Sequence, residues 1–148
     1  MDDFQAVSDL LCDCYRWMGE REGFSQANID FLVTKRGSVE TIERESAEQS
    51  YFVAQDGDII VGMVSVLNNE ITKLYVSPAR HREGIGRMLF EYAERLIREA
   101  GYDSISLGAL GQAPVPFYKS MGMKITATKL CKLGDETARE VFVMEMKL

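Results

Sequence analysis

Tyr75-Val76-Ser77-Pro78-Ala79-Arg80-His81-Arg82-Glu83-Gly84-Ile85-Gly86-Arg87 is the stretch that decides the architecture. The residues from Glu70 to Val76 read as a strand, and Pro78 ends it because proline has no N–H to offer a ladder. A polar, basic loop follows. A helix then opens at Gly84 and runs to about Ala100, with Ile85, Met88, Leu89, Tyr92, Leu96 and Ile97 on one apolar stripe. Glu91/Arg95 and Glu94/Arg98 are i,i+4 pairs on the opposite face, and Gly101 is the C-cap. Ser104 to Leu110 is a buried strand reached through this helix. Strand, helix, strand is a β-α-β unit, so the two strands are expected parallel with a right-handed crossover.

Upstream, the pattern is helical and then changes period. Phe4 to Met18 is a first helix, with Leu10, Leu11, Cys14, Trp17 and Met18 at 3-4 spacing. Ser25 caps a second through about Lys35, ended by Gly37. Ser38 caps a third, with Val39, Ile42 and Ala47 inward. Tyr51 to Ala54 is a strand, and Asp56-Gly57 is a hairpin signal. Ile59 to Leu67 is a long second strand, turned by Asn68-Asn69 into the strand from Glu70. Downstream, Val115 to Met121 is a short helix stopped by Gly122. Lys124 to Leu133 and Ala138 to Lys147 close a hairpin over Gly134-Asp135-Glu136. This order predicts a three-layer α/β/α sandwich on a mixed, mostly antiparallel sheet with one parallel β-α-β crossover.

The 148 residues suffice for one domain with a real core. Hydrophobic residues at 46% and charged residues at 27% exclude a disordered chain. No apolar run approaches the roughly 20 residues a bilayer needs, and no membrane partner is expected. Met1-Asp2-Asp3 offers no basic region before an apolar stretch, so no secretory signal is expected. Net charge is −6, but residues 1–67 carry 13 acids and 5 bases while 68–148 carry 10 acids and 12 bases. An acidic whole argues against nucleic acid. The asymmetry suits an anionic ligand on the second half and a cationic one facing the first. Cys12, Cys14 and Cys131 make no disulfide framework, and one His leaves no four-ligand zinc site. The thiols read as reduced packing residues of a cytoplasmic protein.

Two loops carry chemistry. The first turn of a helix presents unpaired N–H groups and the positive end of the dipole. Gly84 and Gly86 let the backbone approach an anion, and Arg80, Arg82 and Arg87 add charge, which suits a pyrophosphate. Gly-x-Gly alone also opens helices for packing. The third glycine of the dinucleotide fingerprint and the Gly-Lys-Ser/Thr ending of a P-loop are absent, which argues against NAD and nucleoside triphosphates. The second loop holds Phe117-Tyr118-Lys119-Ser120-Met121-Gly122-Met123. Both loops stand at the C-terminal ends of adjacent parallel strands, where open α/β sheets bind ligands. A tyrosine there is either a buried hydrogen-bonding aromatic or a proton donor.

Leu74-Tyr75-Val76-Ser77-Pro78, then Gly84-Ile85-Gly86-Arg87, then Phe117-Tyr118 followed by Gly122-Met123, in this order and spacing, resemble the GNAT superfamily of acetyl-CoA-dependent N-acetyltransferases. The resemblance covers about Tyr51 to Lys147. It is sharpest from Glu70 to Gly122, and the family's usual first strand is not readable before the first helix. It implies acetyl-CoA as co-substrate and no metal. It implies that Arg82, Glu83, Gly84, Ile85, Gly86 and Arg87 hold the CoA pyrophosphate through main-chain N–H groups. Leu74, Tyr75 and Val76 would pair with the pantetheine arm like an added strand, near a bulge that splays them from the next parallel strand. Tyr118 would lie close to the CoA sulfur and protonate the leaving thiolate. Glu70, fourteen residues before the first motif glycine, holds the place of a general base acting through water. His81 stands where the family has Gln or Arg and would donate to a phosphate or its water. The family's frequent Asn is Gly111 here, which removes one side-chain contact to the pantetheine arm.

The function so implied is transfer of an acetyl group to a primary amine, on a small molecule or a protein. The acidic first half favours a cationic acceptor. The alternative is a non-catalytic acyl-CoA-binding sensor or regulatory module, in which Tyr118 and Glu70 are incidental. The chain reads as a single domain over 1–148, with a helical acceptor-side segment at 1–50 and an acetyl-CoA-binding core at 51–148. Tyr15, Trp17 and Phe24 fall where the family shapes its acceptor pocket, though core packing or a dimer surface explains them equally well. The resemblance also admits a homodimer.

Overall fold

The computed structural model describes residues 3–148. Met1 and Asp2, which enter the expectation about a secretory signal, lie outside the described residues. The first helix, α1 (Phe4–Glu22), starts at Asp3, whose carboxylate accepts the Ala6 N–H at 3.0 Å. It runs a turn beyond the expected Met18, because nothing before Gly23 breaks it. Gly23 ends it in the left-handed region (φ 68°), bonding back to Gly19 O. Val7, Leu10, Leu11, Cys14, Tyr15 and Met18 form its buried stripe. A capping box between Ser25 and Asn28 opens α2 (Gln26–Phe31). Its continuation, Leu32–Arg36, widens to π-helical geometry before Gly37. Ser38 caps α3 (Val39–Ser46), which buries Ile42 completely. Ala47, expected inward, is the exposed C-cap instead, because the helix ends one residue before it.

Six strands follow: β1 (Ser50–Asp56), β2 (Ile59–Leu67), β3 (Glu70–Val76), β4 (Ser104–Leu110), β5 (Lys124–Lys132) and β6 (Ala138–Lys147). The helix α4 (Ile85–Glu99) crosses from β3 to β4, and α5 (Val115–Ser120) follows β4. The sheet order is β1-β2-β3-β4-β6-β5, all antiparallel except β3 with β4. Among the described residues no strand precedes α1. One sheet face packs on α4 and α5 around Phe90, Ile97, Val64, Ile105 and Met144. The other packs on α1 to α3 around Leu11, Tyr15, Leu32, Ile42 and Met63. Both cores are apolar, and the layers form the three-layer arrangement the element order predicts.

The inward stripe of α4 differs from the expectation. Met88 is 54% exposed, and the buried line is Leu89, Phe90, Ala93 and Ile97. A helix of this length can turn either apolar face inward, and fit against the sheet selects Phe90. The expected Glu91/Arg95 pair is also replaced. Glu91 faces Arg87 at 3.6 Å, and Arg95 stacks over Tyr92 at 5.1 Å. Glu94–Arg98 forms as expected, at 3.7 Å. Among the described residues no helix is long and apolar enough to cross a membrane.

The β3–β4 pairing positions everything that follows. It consists of one register pair, Glu70 with Ser106, beside a bond from Ser106 N to Asn69 O at 3.1 Å. The register of β3 against β2 slips at the same place: Val66 faces Ile71 and Ser65 faces Lys73, leaving Thr72 as an extra residue. A bulge bends its strand, and this one carries β3 away from β4 as both run toward their C-terminal ends. The Thr72 hydroxyl fixes the bulge, donating to Gln49 Oε1 at 2.6 Å and meeting Ser65 Oγ at 2.7 Å.

Candidate active site

The splay opens a cleft of about 740 Å³. Its walls are the C-terminal halves of β3 and β4, the loop into α4, the start of α5, and α1 across the end. Backbone alternation makes one wall a hydrogen-bonding edge. Ser77 N donates to Val61 O at 2.8 Å, and Val76 faces Gly62 in the register. In an antiparallel ladder, alternate residues bond to the partner strand. Tyr75 therefore bonds to β2, while the main-chain groups of Leu74 and Val76 turn into the gap. Val76 O is already engaged there. Cys14 Sγ donates to it at 3.3 Å, and His81 Nε2 lies 3.0 Å from it.

The loop into α4 is braced by its own charges. Arg80 pairs with Glu83 at 2.9 Å and with Asp56 at 3.1 Å. Glu83 raises the Arg80 pKa most, through its hydrogen bond. Arg82 (φ 67°) and Gly84 (φ 85°) both adopt left-handed backbone. Gly84 is the N-cap of α4 and has no side-chain cap bond, so the first N–H groups of the helix point outward unpaired. A Cβ on Gly84 would meet nothing within 4 Å, whereas one on Gly86 would lie 3.4 Å from the Phe117 ring. The two glycines thus differ in surroundings. Gly84 provides the turn and leaves open space beside it, whereas a side chain at Gly86 would meet Phe117 at ordinary van der Waals distance.

Tyr118 sits at the inner end of the cleft, 7% exposed. Its ring meets Phe117 edge-on at 5.3 Å and lies tilted against Phe90 at 6.4 Å. Burial pushes its phenol well above the ordinary value, and the nearby Tyr75 adds to this. No buried polar side-chain atom lacks a partner among the described residues, and no bond ties the Tyr118 hydroxyl to another side chain, so that hydroxyl opens on the cleft. Beyond it, α1 contributes Cys14, Trp17 and Met18. Burial pushes the Cys14 thiol up to about 12. Tyr75 is likewise pushed up to about 12 by burial, and its ring meets Tyr15 edge-on at 5.4 Å.

The sequence-derived site residues mostly converge. Leu74, Tyr75, Val76, His81, Arg82, Gly84, Ile85, Gly86, Arg87 and Tyr118 all line the cleft. Two do not. Glu83 faces Arg80 and contributes a loop brace. Glu70 is exposed at the start of β3, where β3 and β4 still pair, so strand direction places it at the closed end of the splay. His81 is held as structure rather than left free: besides Val76 O, its ring meets Trp17 edge-on at 4.7 Å.

Sequence reasoning missed a second cavity of about 510 Å³, which shares Ala113 and Pro116 with the first. Glu22 and Arg139 line it. Glu22 Oε1 accepts the Ala113 N–H at 2.5 Å, and its carboxylate stands over Gly111, where a Cβ would come within 2.5 Å of Glu22 Cδ. Gly111 (φ 76°) thus leaves room for a carboxylate arriving from α1. The one sequence signal was the missing Asn side chain at Gly111. Among the described residues no cluster of three or more His, Cys, Asp or Glu is placed to hold a metal ion.

A chain with this splayed sheet and anion-ready helix start belongs to the GNAT acetyltransferase family: the acetyltransferase (GNAT) domain matches residues 47–124, just over half of the sequence. It is an acyltransferase by class. No curated protein matches the chain. Solved structures share the whole fold at low identity. A GCN5-related N-acetyltransferase from Rhodopseudomonas palustris superposes with a TM-score of 0.89 at 15% identity, covering 99% of this chain and 91% of that one. The PaiA N-acetyltransferase from Thermoplasma acidophilum, in complex with coenzyme A, gives 0.80 at 19% identity, covering 99% and 94%. The aminoglycoside 6'-N-acetyltransferase from Enterococcus faecium gives 0.64 at 19%, covering 97% and 91%.

Proposed function

We propose that residues 1–148 form one N-acetyltransferase domain that moves the acetyl group of acetyl-CoA to a primary amine by direct attack. The observation that carries this is the gap between β3 and β4, with main-chain groups of Leu74 and Val76 at one edge and the Tyr118 hydroxyl at its inner end. An extended amide-bearing arm pairs with such an edge as a strand would. The outward N–H groups at Ile85, Gly86 and Arg87 receive the pyrophosphate, with Arg82 and Arg87 nearby. Support for CoA as the ligand comes from the family and from the coenzyme A in the Thermoplasma structure.

The amine nitrogen attacks the thioester carbonyl, the C–N bond forms, and the C–S bond breaks. Tyr118 gives its phenolic proton to the departing sulfur, leaving free CoA thiol. The proton released from nitrogen passes to water and restores the phenol. Holding amine and carbonyl together supplies several kcal/mol of the barrier reduction. Glu70, exposed outside the cleft, reaches the acceptor only through solvent, and we assign it no direct transfer.

Calorimetric titration with acetyl-CoA, dephospho-CoA and ATP tests the cofactor, followed by thiol release with an amine panel. Acetyl-CoA is expected to bind tightest. A folded sample that does not bind it would remove the proposal. Gly84→Ala tests the loop separately. A side chain at φ 85° costs roughly 1–2 kcal/mol of stability and enters the space proposed for the pyrophosphate. The acetyl-CoA Kd is expected to rise about tenfold. An unchanged Kd would move the pyrophosphate elsewhere.

A further inference from the structure

The second cavity holds opposite charges that do not neutralise each other. Among the described residues no ion pair within 4.0 Å joins Glu22 to Arg139, and each is held by a separate device. Glu22 is half-buried, lines the cavity, and is anchored through one oxygen, which accepts the Ala113 N–H at 2.5 Å. Arg139 is half-buried too. Its Nε donates to Asn28 Oδ1 at 2.9 Å and one terminal nitrogen donates to Gly23 O at 3.3 Å. Its guanidinium also stacks over Phe24 at 5.1 Å. Asn28 is itself fully buried and fixed by its bonds to Leu133 O at 2.7 Å and Asp135 Oδ1 at 3.2 Å. The guanidinium fork is therefore set rigidly, with donors left over.

The surroundings keep this balance. Arg21 lines the same cavity, stacked over Trp17 at 3.8 Å, and Glu140 contributes a second carboxylate. A polycation entering here meets two guanidinium groups, and a polyanion meets two carboxylates. A molecule with one charge of each sign suits both. The Glu22 end lies toward the acetyl-transfer cleft, because Ala113 and Pro116 border both spaces and Pro116 is two residues before Tyr118.

We propose that this cavity is the acceptor subsite and takes an amine that also carries a carboxylate, an amino acid or a molecule of similar size. The Glu22 carboxylate faces the ammonium end and Arg139 receives the carboxylate. This rests on the transferase reading above and narrows it: the acceptor has a cationic amine, as the acidic first half suggests, but is zwitterionic overall. An Arg–carboxylate contact is charge-assisted and often two-pronged, which makes it specific for the carboxylate.

The test uses matched sets built on alanine, leucine and lysine: the free amino acid, its carboxamide and the decarboxylated amine. Binding is measured by calorimetry on CoA-saturated protein, and turnover by thiol release from acetyl-CoA. In at least one set, loss of the carboxylate is expected to raise Kd and KM tenfold or more, with a smaller change in kcat. Arg139→Gln is expected to bring acid and carboxamide within about threefold of each other. Glu22→Gln keeps an acceptor for Ala113 N–H; it is expected to raise KM for both while keeping their ratio. The wild-type comparison stands even where a variant fails to fold. Equal binding of acid and carboxamide in all three sets, or turnover of carboxylate-free amines alone, overturns the inference and leaves the transferase reading intact. Acetyl-CoA binding without thiol release from any member removes both.

Discussion

Tyr118→Phe is expected to lower kcat by about 10²–10⁴-fold, the range ascribed to a placed acid, and to leave the acetyl-CoA Kd within about twofold. The geometry separates the two effects. The ring keeps its contacts with Phe90 and Phe117 with or without its hydroxyl, and among the described residues that hydroxyl has no hydrogen-bond partner to lose. What would disappear is the hydroxyl proposed to donate to the departing sulfur: a thiolate of ordinary pKa about 8.5 (by analogy with Cys) is a weaker base than a phenolate, but it takes a proton far more readily from a phenol than from water. Because burial raises the Tyr118 pKa, the acid stays protonated beyond the ordinary phenol value of 10. In the parent protein kcat should therefore show no alkaline fall below that pH. Glu70→Gln serves as the comparison and is expected to stay within about threefold. A Tyr118→Phe variant with full turnover would leave a transferase in which Tyr118 only lines the channel and another group protonates the sulfur.

Alkali should destabilise the fold, beginning at about pH 8 and steepening between pH 9 and 10. Tyr15, Tyr51, Tyr75 and Tyr118 all have phenols raised above 10.0, and burial is the first cause in each. For Tyr51 the hydrogen bond to Glu45, at 2.9 Å, adds to it. The Cys14 thiol rises from 9.0 to about 12. Below about pH 8 these groups are neutral in the folded and the unfolded chain alike, and their full contribution is present; Cys14 begins to ionise in the unfolded chain first, toward its ordinary 9.0, and the tyrosines follow. Above it the unfolded chain releases protons that the folded chain keeps, so stability falls with rising pH until the folded pKa values are passed, about 12 for Tyr75 and Cys14. Each group adds a slope of up to about 1.4 kcal/mol per pH unit, less for half-buried Tyr51. Urea midpoints from pH 8 to 11 measure it. A constant midpoint through pH 11 would mean that the phenols titrate freely in the native state.

The strands were largely legible because turn chemistry brackets them. Ile59–Leu67 lies between Asp56-Gly57 and Asn68-Asn69, and Glu70–Val76 ends at Pro78; their observed bounds match the expected ones. The cofactor side of the site was legible for a related reason, since its residues are contiguous at Leu74–Val76 and Arg82–Arg87. The inward face of α4 was not, because Met88 and Phe90 are equally apolar as letters and only contact with the sheet distinguishes them. The second cavity was least legible. Glu22 meets Ala113 across 91 positions, and Arg139 meets Asn28 across 111. No local pattern records such meetings; they depend on how the β5–β6 hairpin and the end of α1 converge.

The single rung between β3 and β4 has a wider consequence. It leaves the sheet as two three-stranded plates, β1–β3 and β4–β6, joined at one corner. A pantetheine arm lodged in the opening, as proposed above, would act as a splint that ties the plates along their length. Ligand at a hundred times its Kd adds about 2.7 kcal/mol to the folded state, and here that gain falls on the seam where the sheet is least tied. On the proposed binding mode the molecule's mechanical strength would follow its fuel: well supplied, the two plates would move as one body, and starved, they would part first along this seam.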